Sequence, residues 1–320
     1  MGFTLLGMPV PSTCILGITM VLNILNSYPS LDFLKGPLGL HRLIEALKHM
    51  LAYRMNLGDP KFVDIKRYQD NMLCRSFAAE IRKNISDTTT FPSKYYLPEW
   101  SQLNDHGTTH FSIVDNDRNV VSMTATINHY FGAGVLSPST GIILNNQMDD
   151  FSAPTEKPKG EDKLPPAPSN FIKPNKRPLS SMNPLIILKE NQVVGVLGAS
   201  GGINIIPAVT QVFLNHFIKG MKPLCDVKEP RVYHKVAPNE VLYENWTVVT
   251  GEHIQLSQDN ISLLKGRHHV LNETAAGAIC QISSEILPQL VIQEKVEGPL
   301  RLNLNLVIRI FGRRPKGGLL

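Results

Sequence analysis

The feature that most constrains this chain is a change of apolar period at residue 109. Before it, "GLHRLIEALKHMLAYRMNLGD" places Leu43, Leu47, Met50, Leu51 and Met55 on one helical stripe ahead of Gly58. "NMLCRSFAAEIRKNIS" reads as a further helix. After it, His110 to Val114 and Val120 to Ile127 alternate as strands around "DNDRN", the pattern of a hairpin. "NPLIILKENQVVGVLGAS" gives a second hairpin, and "IIPAVTQVFLNHFIKG" a helix behind its glycines. Between the hairpins, "SAPTEKPKGEDKLPPAPSN" is a Pro-rich charged stretch, expected to be an exposed, mobile loop.

The N-terminus carries no charged side chain before Asp32. Pro9, Pro11 and Pro29 interrupt it, and no basic n-region precedes it, so Cys14 to Leu25 is expected to be a core helix capped by Ser12, with a secretory signal as the second reading. No membrane anchor is evident. With 320 residues, 42% of them hydrophobic, the chain can bury one large core or two ordinary ones. Its net charge of +5 is scattered and not interleaved with aromatics, which argues against a nucleic-acid partner.

Cys14, Cys74, Cys225 and Cys280 have neither redox-pair nor zinc-knuckle spacing and are too few for a disulfide scaffold. Sequons at Asn84, Asn245, Asn260 and Asn272 suit a secreted glycoprotein, although roughly three are expected by chance at ordinary Ser and Thr usage.

Four short patches carry chemistry. Gly107, Thr108, Thr109 and His110 open the first strand, and "TATIN", Thr124 to Asn128, ends its partner. The others are "NNQMDDF", Asn145 to Phe151, and "PLSSM", Pro178 to Met182, followed by "GASGG", Gly198 to Gly202. Singly they are unremarkable. Thr suits strands and Gly marks turns. "GASGG" lacks phosphate-loop spacing, and Asp149 and Asp150 have no further ligand at metal spacing.

In this order, with "GDPKFVD", "DHGTTHFSIVD", "NNQMDDFS" and "NKRPLSSM", the patches resemble the gamma-glutamyltransferase family, also called glutathione hydrolases, from about Gly7 to about Gln281. The resemblance implies an α+β fold, the four-layer αββα sandwich of N-terminal nucleophile hydrolases. It also implies self-cleavage between Gly107 and Thr108. Residues 1–107 would be the C-terminal part of a heavy subunit, 108–282 a light subunit carrying the catalytic threonine, and 283–320 a divergent tail. The two fragments would stay associated.

By the same resemblance Thr108 is the nucleophile, its new α-amine serving as general base, and the Thr126 hydroxyl bonds that of Thr108. Asn128, Gln147 and Asp150 would hold the α-ammonium of a γ-glutamyl group, and Ser180 and Ser181 its α-carboxylate. The amides of Gly201 and Gly202 would form the oxyanion hole. His106 and His110 are then structural. The substrates would be glutathione and related γ-glutamyl compounds, with amino acids or peptides as acceptors, and no cofactor or metal is needed. The place of action would be extracellular, cell-surface or vacuolar.

Relatives have a longer heavy subunit whose front carries a carboxylate-binding arginine, and this chain begins after that point. From Ser283 it departs from the family ending, although Leu302, Leu304, Leu306, Ile308 and Ile310 alternate as a strand would. Arg118 replaces a frequent glycine, a minor change where the turn avoids positive φ. A catalytically inactive, truncated relative acting as a binding or assembly partner is therefore the alternative expectation.

Overall fold

The computed structural model describes residues 2–102, 107–115, 117–154, 164–248, 251–275, 277–284 and 287–292. Nine residues of the Pro-rich stretch, 155–163, together with His106 and the alternating run 302–310, lie outside them.

Strand β1 (Thr4–Gly7) precedes helices α1 (Cys14–Asn26), α2 (Gly36–Arg54), α3 (Lys66–Leu73) and α4 (Arg75–Lys83). The hairpin β2 (Gly107–Val114) and β3 (Val120–Asn128) follows, then β4 (Leu185–Lys189), β5 (Gln192–Ser200) and α5 (Ile205–Phe213). Beyond α5 come α6 (Pro223–Lys228), β6 (Val232–His234), β7 (Val241–Thr247), β8 (His253–Gln255), α7 (Gln258–Gly266), β9 (Leu271–Thr274), β10 (Ile279–Ser284) and β11 (Leu287–Ile292).

Helix α1 is a core helix, as its composition implies: Ile18, Met20, Val21, Ile24 and Leu25 are fully buried. Ser12 does not cap it. The Ser12 hydroxyl instead donates to the Met182 carbonyl (2.5 Å), tying the chain start to the Ser180–Ser181 stretch. Helix α2 ends at Arg54, before Gly58. Gly58 is needed for close approach, since a Cβ there would lie 2.3 Å from the Ser169 carbonyl oxygen. The single helix expected after it is broken at Cys74, whose extended backbone separates α3 from α4.

The central sheet has the order β1-β4-β5-β10-β11, with every neighbouring pair antiparallel. Strand β5 alternates between its two faces. Leu197 and Ala199 join the core that also contains α1 and α5, whereas Gly198 and Ser200 meet the hairpin. A Cβ on Gly198 would collide with the His110 ring, 2.1 Å from its nearest carbon.

The described residues thus supply helices, a central sheet and a facing hairpin. The outward hairpin face stays open among them: Val121 is 49% exposed, Met123 48% and Ile127 41%. Its buried face carries polar His110, Ser112, Thr124 and Asn128. At the turn the structure corrects an expectation, because Arg118 takes φ +67°.

A smaller antiparallel sheet, β6-β7-β8, has β9 added parallel to β7. It forms a second core with α7 and Ile44 of α2. Beneath it, the Arg231–Glu244 ion pair (2.9 Å) is buried, and Tyr233 donates to the same carboxylate at 2.6 Å.

Candidate active site

The hairpin register pairs Gly107 with Asn128 and Thr109 with Ala125, leaving a bulge at Thr108. A bulge re-aims a side chain and interrupts the ladder. Here it puts the Gly107 carbonyl opposite Thr126, whose hydroxyl donates to it at 2.6 Å. The Asn128 amide donates to that same hydroxyl at 2.8 Å, which fixes its lone pair and aims its hydrogen at Gly107. Thr126 therefore bonds the Gly107 carbonyl, not the Thr108 hydroxyl. Thr108 Oγ1 is buried and, among the described residues, has no hydrogen-bond partner. Buried hydroxyls are ordinarily partnered, so this atom stands out on physical grounds.

Ser200 fixes the other side of Thr108 by donating to its carbonyl. The next two residues are Gly201 at φ +141° and Gly202 at φ +58°, both in the region that favours glycine. A Cβ on Gly201 would also lie 2.7 Å from the Gly277 carbonyl oxygen. That neighbour is held from below, where the Gly277 amide donates to Glu244 at 3.2 Å and Arg231 donates to the Ala278 carbonyl at 3.1 Å.

Asn128, itself at φ +74°, donates to the Asn146 carbonyl at 3.2 Å, and the His129 amide donates to the Asn146 side chain at 3.0 Å. These contacts bring the short 3-10 turn Gln147–Asp150 to the end of β3. Gln147 donates through its side-chain amide to the buried Asp150 carboxylate. Asn170 extends the chain of contacts, donating to the Asp150 carbonyl at 2.8 Å and accepting from the Leu179 amide at 2.9 Å. Ser180 lies next, half-buried, its hydroxyl accepting from the Met182 amide at 3.1 Å.

Ser181 is fully buried and accepts from Arg54 at 2.6 Å. All four patches are thus knit together. Arg54, Ser200, Asn146 and Asn170 are the residues that sequence reading missed. Arg54 had a signal, since it continues the buried stripe of Leu43, Leu47 and Met50, where a charge is out of place.

His110 is a packing residue. Its ring bonds Thr124 (2.8 Å) and Ser112 (3.1 Å), and burial pushes its pKa down to about 4, so it is neutral at pH 7. A separate buried group, His41, Glu45 and His269, has metal-ligand composition. It does not fit a cation. His41 Nε2 faces the Ser86 carbonyl at 2.7 Å and so carries the proton, leaving Nδ1 to accept from His269 at 2.8 Å. Glu45 already has Lys48 at 3.3 Å and a Tyr96 hydroxyl at 2.6 Å.

The gamma-glutamyltranspeptidase family pattern matches residues 1–286. The chain belongs to that family. It is 57% identical over 283 residues to glutathione hydrolase 3 of Arabidopsis thaliana, covering 88% of this chain and 44% of that protein. Glutathione hydrolase 2 of the same organism is 51% identical over 286 residues, covering 89% and 50% respectively. This gamma-glutamyltranspeptidase relative therefore spans about half the length of these two proteins. Its fold is that of a cephalosporin acylase from Bacillus halodurans, with a TM-score of 0.69 at 23% identity over 88% of this chain and 47% of that one. Among the described residues no helix is long and apolar enough to cross a membrane.

Proposed function

We propose that this chain is a self-processing γ-glutamyl hydrolase and transferase acting on glutathione and related compounds. The observation that carries the reading is the juxtaposition at the bulge: a buried Thr108 hydroxyl without a partner beside a Gly107 carbonyl already polarised by Thr126. In the first reaction Thr108 Oγ adds to the Gly107 carbonyl carbon and the peptide nitrogen leaves with a proton. The resulting ester is opened by water. Fragments 1–107 and 108–320 remain associated through the contacts between α2 and the β6–β9 unit.

Cleavage frees the α-amine of Thr108, whose ordinary pKa of about 7.7 to 8.0 leaves a useful unprotonated fraction at neutral pH. As general base it takes the hydroxyl proton while Oγ attacks the substrate γ-carbonyl. The departing amine leaves with a proton, and the γ-glutamyl ester passes to water or to an acceptor amine, a ping-pong course. Asn128, Gln147 and Asp150 receive the α-ammonium, Ser180 and Ser181 the α-carboxylate, and the amides of Gly201 and Gly202 the oxyanion. An extracellular, surface or vacuolar setting accompanies this reading.

Intact-mass analysis tests it. Cleavage yields fragments of 107 and 213 residues (320 − 107 = 213). Thr108→Ala stays whole and Thr109→Ala still processes. A second reading, a catalytically inactive binding or assembly partner, is favoured by one observation: a shorter Arabidopsis thaliana relative whose name includes the word "inactive" is covered over its full length, at 56% identity over 191 residues. A wild-type chain that stays whole supports that second reading.

A further inference from the structure

We infer that Arg54 is a positioning residue for the α-carboxylate end of the substrate site, acting through Ser181; the inference rests on the γ-glutamyl reading above. Arg54 closes α2 and is 1% exposed. Among the described residues its guanidinium reaches three oxygens: Nε donates to Thr13 Oγ1 at 3.0 Å, Nη2 to Ser181 Oγ at 2.6 Å, and Nη1 to the Gln102 carbonyl at 3.4 Å.

A guanidinium can only donate. Ser181 Oγ must therefore accept from Arg54, so its own O–H acts only as a donor. That fixes the hydroxyl in the sense required by a carboxylate and opposite to that required by an ammonium. Thr13 repeats the logic one position away, since it accepts from Arg54 and donates to the Ser180 carbonyl at 3.0 Å. Ser180 and Ser181 are thus both held by residues anchored on one buried cation. The planar fork matters as well as the charge, because an ammonium cannot satisfy the same three directions at once.

The Gln102 contact links the same cation to the segment that leads into Gly107. Ser181 is fully buried in the uncut chain. Binding is accordingly to be measured after processing.

The test uses the full chain, incubated until cleavage is complete, and calorimetric titration with L-glutamate and with 4-aminobutyrate. The second ligand keeps the ammonium and the distal carboxylate but lacks the α-carboxylate. Wild type should prefer glutamate by about tenfold or more, the scale of a charge-assisted contact. Arg54→Lys keeps the buried charge but loses the fork, and should lower that preference at least threefold, chiefly by weakening glutamate. Ser181→Ala should lower it similarly, and adding Arg54→Lys to Ser181→Ala should lower it little further.

A merely structural role would weaken both ligands in parallel. An Arg54→Lys chain that processes and retains the wild-type preference overturns the inference and leaves the γ-glutamyl reading standing. A processed wild-type chain that does not prefer glutamate overturns the assignment of the serines, and an uncut wild-type chain overturns the γ-glutamyl reading; the inference falls with either.

Discussion

The sharpest perturbation is Thr126→Val, which is close to isosteric, suits a strand and removes one hydroxyl. That hydroxyl sits 2.6 Å from the Gly107 carbonyl oxygen, the atom that would gain negative charge in the proposed attack by Thr108. Donors aimed at a developing oxyanion contribute about 2.7 to 4 kcal/mol to the rate in related chemistry. Part of that, about 1 kcal/mol, is already present as an ordinary hydrogen bond in the uncut chain and does not accelerate the step. The difference, about 2 to 3 kcal/mol, corresponds to self-cleavage slowed about 30- to 150-fold. The assay is a time course of intact mass on freshly purified protein, fitted to a first-order rate. Thr126→Ser, which restores a donor, should stay within a few-fold of wild type. Thermal melting serves as the control, because the variant also strips a partner from the Asn128 amide, a loss of about 1 to 3 kcal/mol. Wild-type cleavage kinetics in a folded Thr126→Val chain would refute the assignment of Gly107 as the reacting carbonyl.

Three further outcomes are expected. Asp150→Asn should weaken L-glutamate binding by the processed chain at least tenfold while leaving the rate of self-cleavage within about threefold, since no substrate ammonium takes part in processing; equal effects on both would contradict its placement. Burial holds His110 at about 4 in the fold against 6.5 unfolded, so below pH 6.5 the unfolded chain takes up a proton that the fold excludes, and stability should fall by up to about 3 kcal/mol as pH drops from 6.5 to 4. Melting temperatures at pH 7, 5.5 and 4.5 should therefore fall less steeply for His110→Gln than for wild type. The open hairpin face, with Val121, Met123 and Ile127 each more than 40% exposed, should bind a hydrophobic dye and drive concentration-dependent association, which Val121→Lys with Met123→Lys should suppress in sedimentation velocity.

What the sequence made legible, and what it hid, follows from range. Alternation in 110–114 and 120–127 revealed the hairpin because a strand's period is local. It did not reveal which face is buried. Here the polar face packs on Gly198 and the apolar face stays open, the reverse of the usual reading of such a pattern. Cys74 split a helix that periodicity alone ran through, because one extended residue between two apolar stripes barely disturbs the count. The four patches were recognisable as motifs, but their mutual support was not. It depends on Asn146, Asn170, Ser200 and Arg54, whose side chains each bond a backbone carbonyl, a backbone amide or a hydroxyl elsewhere in the chain. Such bonds leave no spacing rule, since many polar side chains with the right approach could make them, and only Arg54, a charge on a buried stripe, carried a signal.

The same bonds would keep the site together through the proposed cut. Of the parts around Thr108, the hairpin, the Gln147–Asp150 turn, Ser180–Ser181 and Gly201–Gly202 all lie at or beyond Gly107, and Arg54 and Thr13 precede it. The two sets meet at Ser181 and at the Ser180 carbonyl, both fully or partly buried. A second seam lies farther along the same helix, where His41 of α2 bonds His269 and Arg267 donates to the Asp87 carbonyl at 2.6 Å. Helix α2 therefore grips the residues beyond Gly107 at both ends, through buried polar contacts whose rupture would leave donors and acceptors unpaired. Between those grips Ile44 packs into the β6–β9 core. Separating residues 1–107 from the rest would expose that apolar contact together with both polar seams, so the proposed cut at Gly107 would change connectivity while the geometry at Thr108 is held by contacts that do not pass through the Gly107–Thr108 bond.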